Sequence, residues 1–176
     1  MLQVIKAPDP RLKVQTKPVK KINPGLLQTL KEMIKLTKNF KEPEGVGLAS
    51  TQIGLDEAFF VANEGGSVHG KFISAINPKI LSIGKRTKKY FEGCLSIPNM
   101  WGEVHRSTNI KVSYQDQTGQ IITTVLKGIP AWIFQHEMDH LNGILFTERV
   151  LEQNGRFYKY IGKDKAGGDI FREVTL

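Results

Sequence analysis

The stretch AWIFQHEMDH, residues 131–140, decides how we interpret this chain. It follows Gly128-Ile129-Pro130, which is typical of a helix start, and precedes Asn142-Gly143, where glycine can end a helix. The stretch therefore predicts a helix. Four residues advance a helix by slightly more than one turn, so His136 and His140 lie on one face. The apolar residues before His136 indicate that this helix is buried.

Two imidazoles on one helical face can bind one metal ion, and Glu137 beside them can take a proton from a water that the metal makes acidic. Such a pentad also arises by chance on solvated helices. Two protease patterns with this pentad fit poorly. One needs a third histidine where this chain has Phe146, and the other needs a distant downstream glutamate, for which Glu173 lies nearly at the terminus.

Cys94 is the one cysteine in the chain, so an internal disulfide is excluded. A free cysteine is most often a small buried apolar residue. Its thiolate is also a good metal ligand, and one cysteine with two histidines would leave one coordination position open for catalysis.

The composition favours a soluble, ordered protein with one site. The chain has 176 residues, 40% hydrophobic and 24% charged, so we expect residues 1–176 to form a single catalytic domain. No apolar run is long enough to cross a bilayer and no signal core opens the chain, which favours a bacterial cytoplasmic location. The net charge of +8 suits an anionic partner or simply solubility.

The pattern predicts an α+β fold, with small antiparallel sheets packed around a central helix that carries the pentad. An early helix begins at Asn23-Pro24, where asparagine can cap and proline can start a helix. Short runs of β-favouring residues predict strands over 58–62, 71–76, 80–83, 109–114 and 120–126, the last two joined as a hairpin.

Three segments together carry a family resemblance. GVGLASTQ at 45–52, EGCLS at 92–96 and QHEMDH at 135–140 resemble the three signature motifs of peptide deformylases, in the same order and spacing. The likeness extends from the start of the chain to about residue 146. It implies a metal-dependent hydrolase that removes the N-formyl group from the formylmethionine of new polypeptides and releases formate.

The resemblance also implies roles for particular residues. Cys94, His136 and His140 would bind one divalent metal ion, with Fe2+ expected and Zn2+, Ni2+ or Co2+ able to replace it. Glu137 would act as general base and acid. The Gln52 amide and the Leu95 backbone N–H would stabilise the oxyanion.

Substrate contacts follow from the same resemblance. Gly45 and Gly47 would let an extended peptide pair with the backbone as an added strand. Ordinary core packing would account for any one of the candidate pocket residues as well as a contact with methionine does. The four candidates for the methionine pocket are Val46, Ile129, Trp132 and Ile133.

The chain departs from the family pattern at several positions. Ser50 and Thr51 replace the more common Ala and Pro, and Trp101 stands where many members have arginine, which puts substrate contacts beyond methionine in doubt. Three charged residues are candidates for orienting the ligands, although exposed ion pairing is the simpler expectation: Glu92, Arg106 and Asp139.

The expected partners are N-formylmethionyl nascent peptides, with a transient ribosome contact, no membrane and no stable nucleic-acid complex. Two alternatives stay open at this point. One is a zinc-dependent peptidase. The other is a basic ribosome-associated protein with a structural metal, for which the tail over 155–176 has basic residues but no clean helical period.

Overall fold

The computed structural model describes residues 2–41, 43–66 and 69–175. In these residues it has helices α1 (Pro24–Lys38), α2 (Ile129–Leu141) and α3 (Phe146–Glu152). None of the described helices is long and apolar enough to cross a membrane. The strands are β1 (Gly47–Ala49), β2 (Phe59–Asn63), β3 (Phe72–Ile83), β4 (Thr87–Cys94), β5 (Ile97–Ser107), β6 (Asn109–Gln115), β7 (Ile121–Lys127), β8 (Phe157–Lys163) and β9 (Asp169–Val174).

The first sheet has five antiparallel strands in the order β1-β2-β3-β6-β7. The predicted strands over 71–76 and 80–83 are one strand, β3. Asn77 takes a positive φ of 51° there, and the register shifts around it. The first half of β3 pairs with β2 and the second half pairs with β6, so the break in the sequence pattern marks a change of partner. The predicted hairpin of β6 and β7 is confirmed.

The second sheet contains four antiparallel strands in the order β4-β5-β8-β9. None of these strands was predicted from the sequence pattern. The tail, for which no regular element was expected, forms the β8–β9 hairpin and pairs with β5 over Met100–Gly102. In its first strand Phe157 is buried beside Val150 and Phe146, and the residues that follow alternate between half-buried and exposed.

Helix α1 begins where its sequence predicts, and α2 both begins and ends where its sequence predicts. The Asn23 side chain accepts a hydrogen bond of 2.9 Å from the backbone N–H of Leu26 and caps α1. Helix α2 follows Gly128 and ends before Gly143, and both glycines have a positive φ. Helix α2 contacts β1, β2 and β7 of the first sheet and β5 of the second. The prediction of an α+β fold with small antiparallel sheets is therefore confirmed.

Candidate active site

Cys94, His136 and His140 converge although they are distant in sequence. Cys94 is the last residue of β4, and both histidines lie on α2. One ligand atom from each of the three lies within 4.8 Å of the others. The Cys94 Sγ and the His140 Nε2 are 3.3 Å apart. The contact of α2 with the second sheet therefore assembles a three-residue group that could hold one metal ion.

The donor chemistry of this group fits a divalent transition metal. A thiolate with two imidazoles suits iron, zinc, nickel or cobalt. Burial lowers the pKa of His140 well below 6.5, which keeps this imidazole in the neutral form that binds metals. The buried Glu137 Oε2 has no hydrogen-bond partner among the described residues. An unsatisfied buried carboxylate oxygen beside the ligands is consistent with a site built for a metal and a polar substrate.

His136 is oriented by a buried carboxylate. The Glu92 Oε2 lies 2.9 Å from the His136 Nδ1, which leaves Nε2 of the ring for the metal. Burial alone lowers the pKa of His136, but hydrogen bonds with Cys94 and Glu92 raise it well above 6.5. A bound metal would displace the proton held there.

Glu92 belongs to a buried ionic network, which corrects the expectation of exposed ion pairing. It accepts hydrogen bonds from the Arg106 Nε at 2.8 Å and the Trp132 Nε1 at 2.9 Å. Burial by itself raises the pKa of Glu92, but the bonds with Arg106 and His136 lower it to about 2. Arg106, only 6% exposed, also donates to Asp139, which in turn accepts from Arg149. The network therefore joins β4, β5, α2 and α3 behind the candidate metal ligands.

Glu137 packs directly against the backbone of β1. A Cβ added to Gly47 would lie 2.3 Å from the Glu137 Oε1, so only glycine leaves room for the carboxylate. Burial raises the pKa of Glu137 to about 7. A carboxylate with this pKa can take and return a proton near neutral pH.

Gln52 and Leu95 reach the site from two other segments. Gln52 lies in a short 3-10 helix over Ser50–Ile53, and its Nε2 donates to the Cys94 Sγ at 3.4 Å and to the Ser96 Oγ at 3.1 Å. The Leu95 carbonyl accepts a hydrogen bond of 2.5 Å from the Lys6 Nζ.

The N-terminal segment ties these two segments together. The backbone N–H of Ile5 donates to the Gln52 carbonyl, and that of Ala7 donates to the Ser96 carbonyl, both at 2.9 Å. This role of the N-terminal segment was not predicted, because nothing in its local sequence pattern identifies its distant partners.

A cleft opens beside the three candidate ligands. The predicted substrate residues Val46, Gly47, Trp132 and Ile133 line it, whereas Ile129 does not. Ile129 is 45% exposed and lies against Gly66 at the edge of the cleft. Gly93, which is part of the EGCLS motif, and Trp101, which departs from the family pattern, also line the cleft. Three further lining residues carry no signal in the sequence: Pro43, Glu44 and Gly66.

Comparison with known proteins gives one consistent family. The model of the polypeptide deformylase family matches residues 1–156. A peptide deformylase of Thermotoga petrophila is 42% identical over 142 residues, which are 81% of this chain and 82% of the relative. The chloroplastic peptide deformylase 1B of rice is 37% identical over 85% of this chain, and the chain spans 55% of that relative.

The solved structures agree with the sequence comparison. The crystal structure of peptide deformylase from Thermotoga maritima superimposes with a TM-score of 0.77 at 40% identity, covering 85% of this chain and 97% of the other. The structure of plant peptide deformylase 1B gives 0.79 at 35% identity, over 86% and 82% of the two chains. These matches favour a deformylase over the peptidase alternative. The chain belongs to the polypeptide deformylase family.

Proposed function

We propose that this protein removes the formyl group from N-formylmethionyl peptides and releases formate, with residues 1–176 acting as one catalytic domain around the central helix α2. The observation that carries the proposal is the convergence of Cys94, His136 and His140 beside the buried Glu137 in a chain of this family.

Cys94, His136 and His140 are the proposed ligands of one divalent metal ion. Bound there, the ion would act as a Lewis acid that lowers the pKa of a water molecule and polarises the formyl oxygen. We propose Fe2+ as the physiological ion, with Zn2+, Ni2+ or Co2+ as replacements, since the donor set suits all four. Glu92 holds the His136 ring in the orientation that binding requires.

Glu137 is the proposed proton carrier. Its carboxylate lines the cleft and has one buried oxygen without a partner among the described residues. It would accept the proton of the attacking water and return that proton to the amine that leaves when the C–N bond breaks. The carboxylate packs against Gly47, where a Cβ would lie 2.3 Å from the Glu137 Oε1, so glycine at this position leaves room for it.

Gln52 and the backbone N–H of Leu95 are the proposed donors to the oxyanion that forms on the formyl oxygen. Both residues line the cleft next to Cys94. The Gln52 Nε2 is already bonded to Cys94 and Ser96, so one of these bonds has to be exchanged for the bond to the oxyanion. The Gln52 Oε1 accepts from the backbone N–H of Ala49 at 2.8 Å, which directs the amide nitrogen into the cleft.

The methionine side chain of the substrate needs an apolar pocket. Val46, Trp132 and Ile133 line the cleft beside the ligands and are the proposed contacts. A contact between Ile129, at the edge of the cleft, and the methionine side chain stays a prediction. Gly47 lies on β1, where we propose that the substrate backbone pairs as an added strand.

Formate release tests the proposal. Protein purified without oxygen and loaded with Fe2+ should release formate from formyl-Met-Ala-Ser, whereas Glu137→Ala with equal metal content should be at least about 100-fold slower. The same peptide without its formyl group should stay intact, because it lacks the bond that a deformylase breaks. A peptidase would cut it. Cleavage of that peptide, or no formate from the metal-loaded protein, contradicts the proposal.

We further propose that the protein contacts the ribosome transiently in the cytoplasm. We propose that basic residues near the start of the chain make this contact, rather than those of the tail over 155–176. Residues 1–41 contain ten Lys and Arg against two Asp and Glu, whereas 155–176 contain five against three. Co-sedimentation with ribosomes at several salt concentrations tests this, since contacts with phosphates weaken as salt rises. Replacing Lys31, Lys35 and Lys38 by Gln should reduce binding, and replacing Lys159 and Arg172 should not. The opposite ranking would restore the tail hypothesis.

A further inference from the structure

Five aromatic rings cluster on one face of the second sheet, and one of them lines the cleft. We call Phe91, Trp101, Tyr158, Tyr160 and Phe171 the outer aromatic cluster. Phe91 and Trp101 are stacked, with ring centroids 5.3 Å apart and an interplanar angle of 9°. Phe171 makes edge contacts with both rings, at 4.9 Å and 5.3 Å. Trp101 is therefore held on two sides.

Trp101 belongs both to this cluster and to the cleft. It pairs with Gly93 across β4 and β5, and a Cβ added to Gly93 would lie 3.0 Å from the indole ring. The absence of a side chain at Gly93 lets the indole pack against the backbone of the residue that precedes Cys94. Trp101 and Gly93 line the same cleft as Glu137 and His136. The cleft thus has an apolar wall next to the candidate catalytic residues.

The β8–β9 hairpin supplies three of the five rings and lies beyond residue 156, where the family match ends. Tyr158 pairs with Trp101 across β8 and β5, and Phe171 lies on β9. The opposite face of the hairpin is anchored by Phe157, which is buried in one apolar cluster with Cys94 and Val150. The hairpin is therefore fixed to the sheet that carries a candidate metal ligand.

We propose that Trp101 is a specificity-determining residue that selects peptides with a large apolar side chain after formylmethionine, and that the hairpin positions it through Phe171. The inference rests on the proposed deformylase function. With the formyl carbon near Cys94 and the methionine side chain in the pocket at Trp132, the substrate residues after methionine must extend through the rest of the cleft. An indole fixed before binding offers apolar contact at little entropic cost.

The test compares kcat/KM for two pairs of peptides, formyl-Met-Leu-Ser with formyl-Met-Ser-Ser, and formyl-Met-Ala-Leu with formyl-Met-Ala-Ser. The wild-type protein should prefer leucine in at least one pair. Trp101→Ala should reduce that preference about fivefold, the factor that corresponds to about 1 kcal/mol. Phe171→Ala, which leaves every cleft residue in place, should reduce it about twofold to threefold. Trp101→Phe should retain part of the preference.

Ile161→Ala is the matched control, because Ile161 lies on β8 and is 47% exposed outside the outer aromatic cluster. It should leave the preference unchanged. A ratio of two substrates on one preparation cancels any loss of folded protein. An unchanged ratio in Trp101→Ala overturns the specificity role, and an unchanged ratio in Phe171→Ala overturns the positioning role. No formate from any peptide with the metal-loaded wild type refutes the proposed function itself.

Discussion

Gly47 and Glu137 are packed so closely that one methyl group should disable the proposed proton carrier. A Cβ at Gly47 would lie 2.3 Å from the Glu137 Oε1 and 2.8 Å from its Cδ, whereas ordinary contacts begin at 3.4 Å. The carboxylate must therefore move by about 1 Å, and a displacement of that size can cost about 100-fold in rate. We expect Gly47→Ala to lower kcat/KM for formyl-Met-Ala-Ser about 100-fold, or about 2.7 kcal/mol.

The assay is formate release by variants loaded with equal Fe2+, with metal content measured on each preparation. Gly65→Ala is the matched control, because its Cβ would meet nothing closer than 3.6 Å. It should keep activity within about twofold, as expected for a substitution that meets only ordinary contacts. In a Glu137→Ala background, Gly47→Ala should cost little more, since both changes act through one group. A full 100-fold loss in that background, or loss of the metal, would refute the reasoning.

Three further predictions follow from contacts around the site. Arg106→Met should lower the free energy of unfolding by about 3–5 kcal/mol in urea titrations, because it leaves the buried Glu92 without its arginine and removes one of the two arginines that pair with Asp139; a loss below about 1 kcal/mol would contradict the buried network. Lys6→Met should slow formate release about tenfold at unchanged metal content, because the Lys6 Nζ holds the Leu95 carbonyl; an unaltered rate would exclude this role. Chelation should lower Tm reversibly in the wild type but not in Cys94→Ser, since a ligand bound only to the folded state stabilises it; equal shifts in both would place the metal elsewhere.

Local patterns were sufficient where structure depends on neighbouring residues. The Asn23-Pro24 start of α1 and the glycines that flank α2 are found as predicted, because caps and left-handed turns involve only a few adjacent residues. The β6–β7 hairpin was also found, since a short turn joins its strands.

Local patterns failed where a partner strand decides the structure. The tail has no helical period, yet it forms strands because the edge of β5 and the rings of Phe91 and Trp101 are available to it. The expectation of exposed ion pairs was wrong for a different reason. Glu92, Arg106 and Asp139 look like surface charges in the sequence, and only the packing of α2 against the second sheet removes them from water.

The sequence by itself determined that one helix presents His136 and His140 on a single face with Glu137 beside them, because the helical period follows from spacing alone. The single cysteine made Cys94 a candidate third ligand and the motif resemblance added Gln52, but spacing cannot say where they lie. Only the tertiary structure decided that β4 delivers Cys94 to within 3.3 Å of His140, and that the β8–β9 hairpin holds Trp101 beside the cleft. These contacts join segments that are distant in the chain, so they depend on sheet pairing and burial, which no local pattern contains.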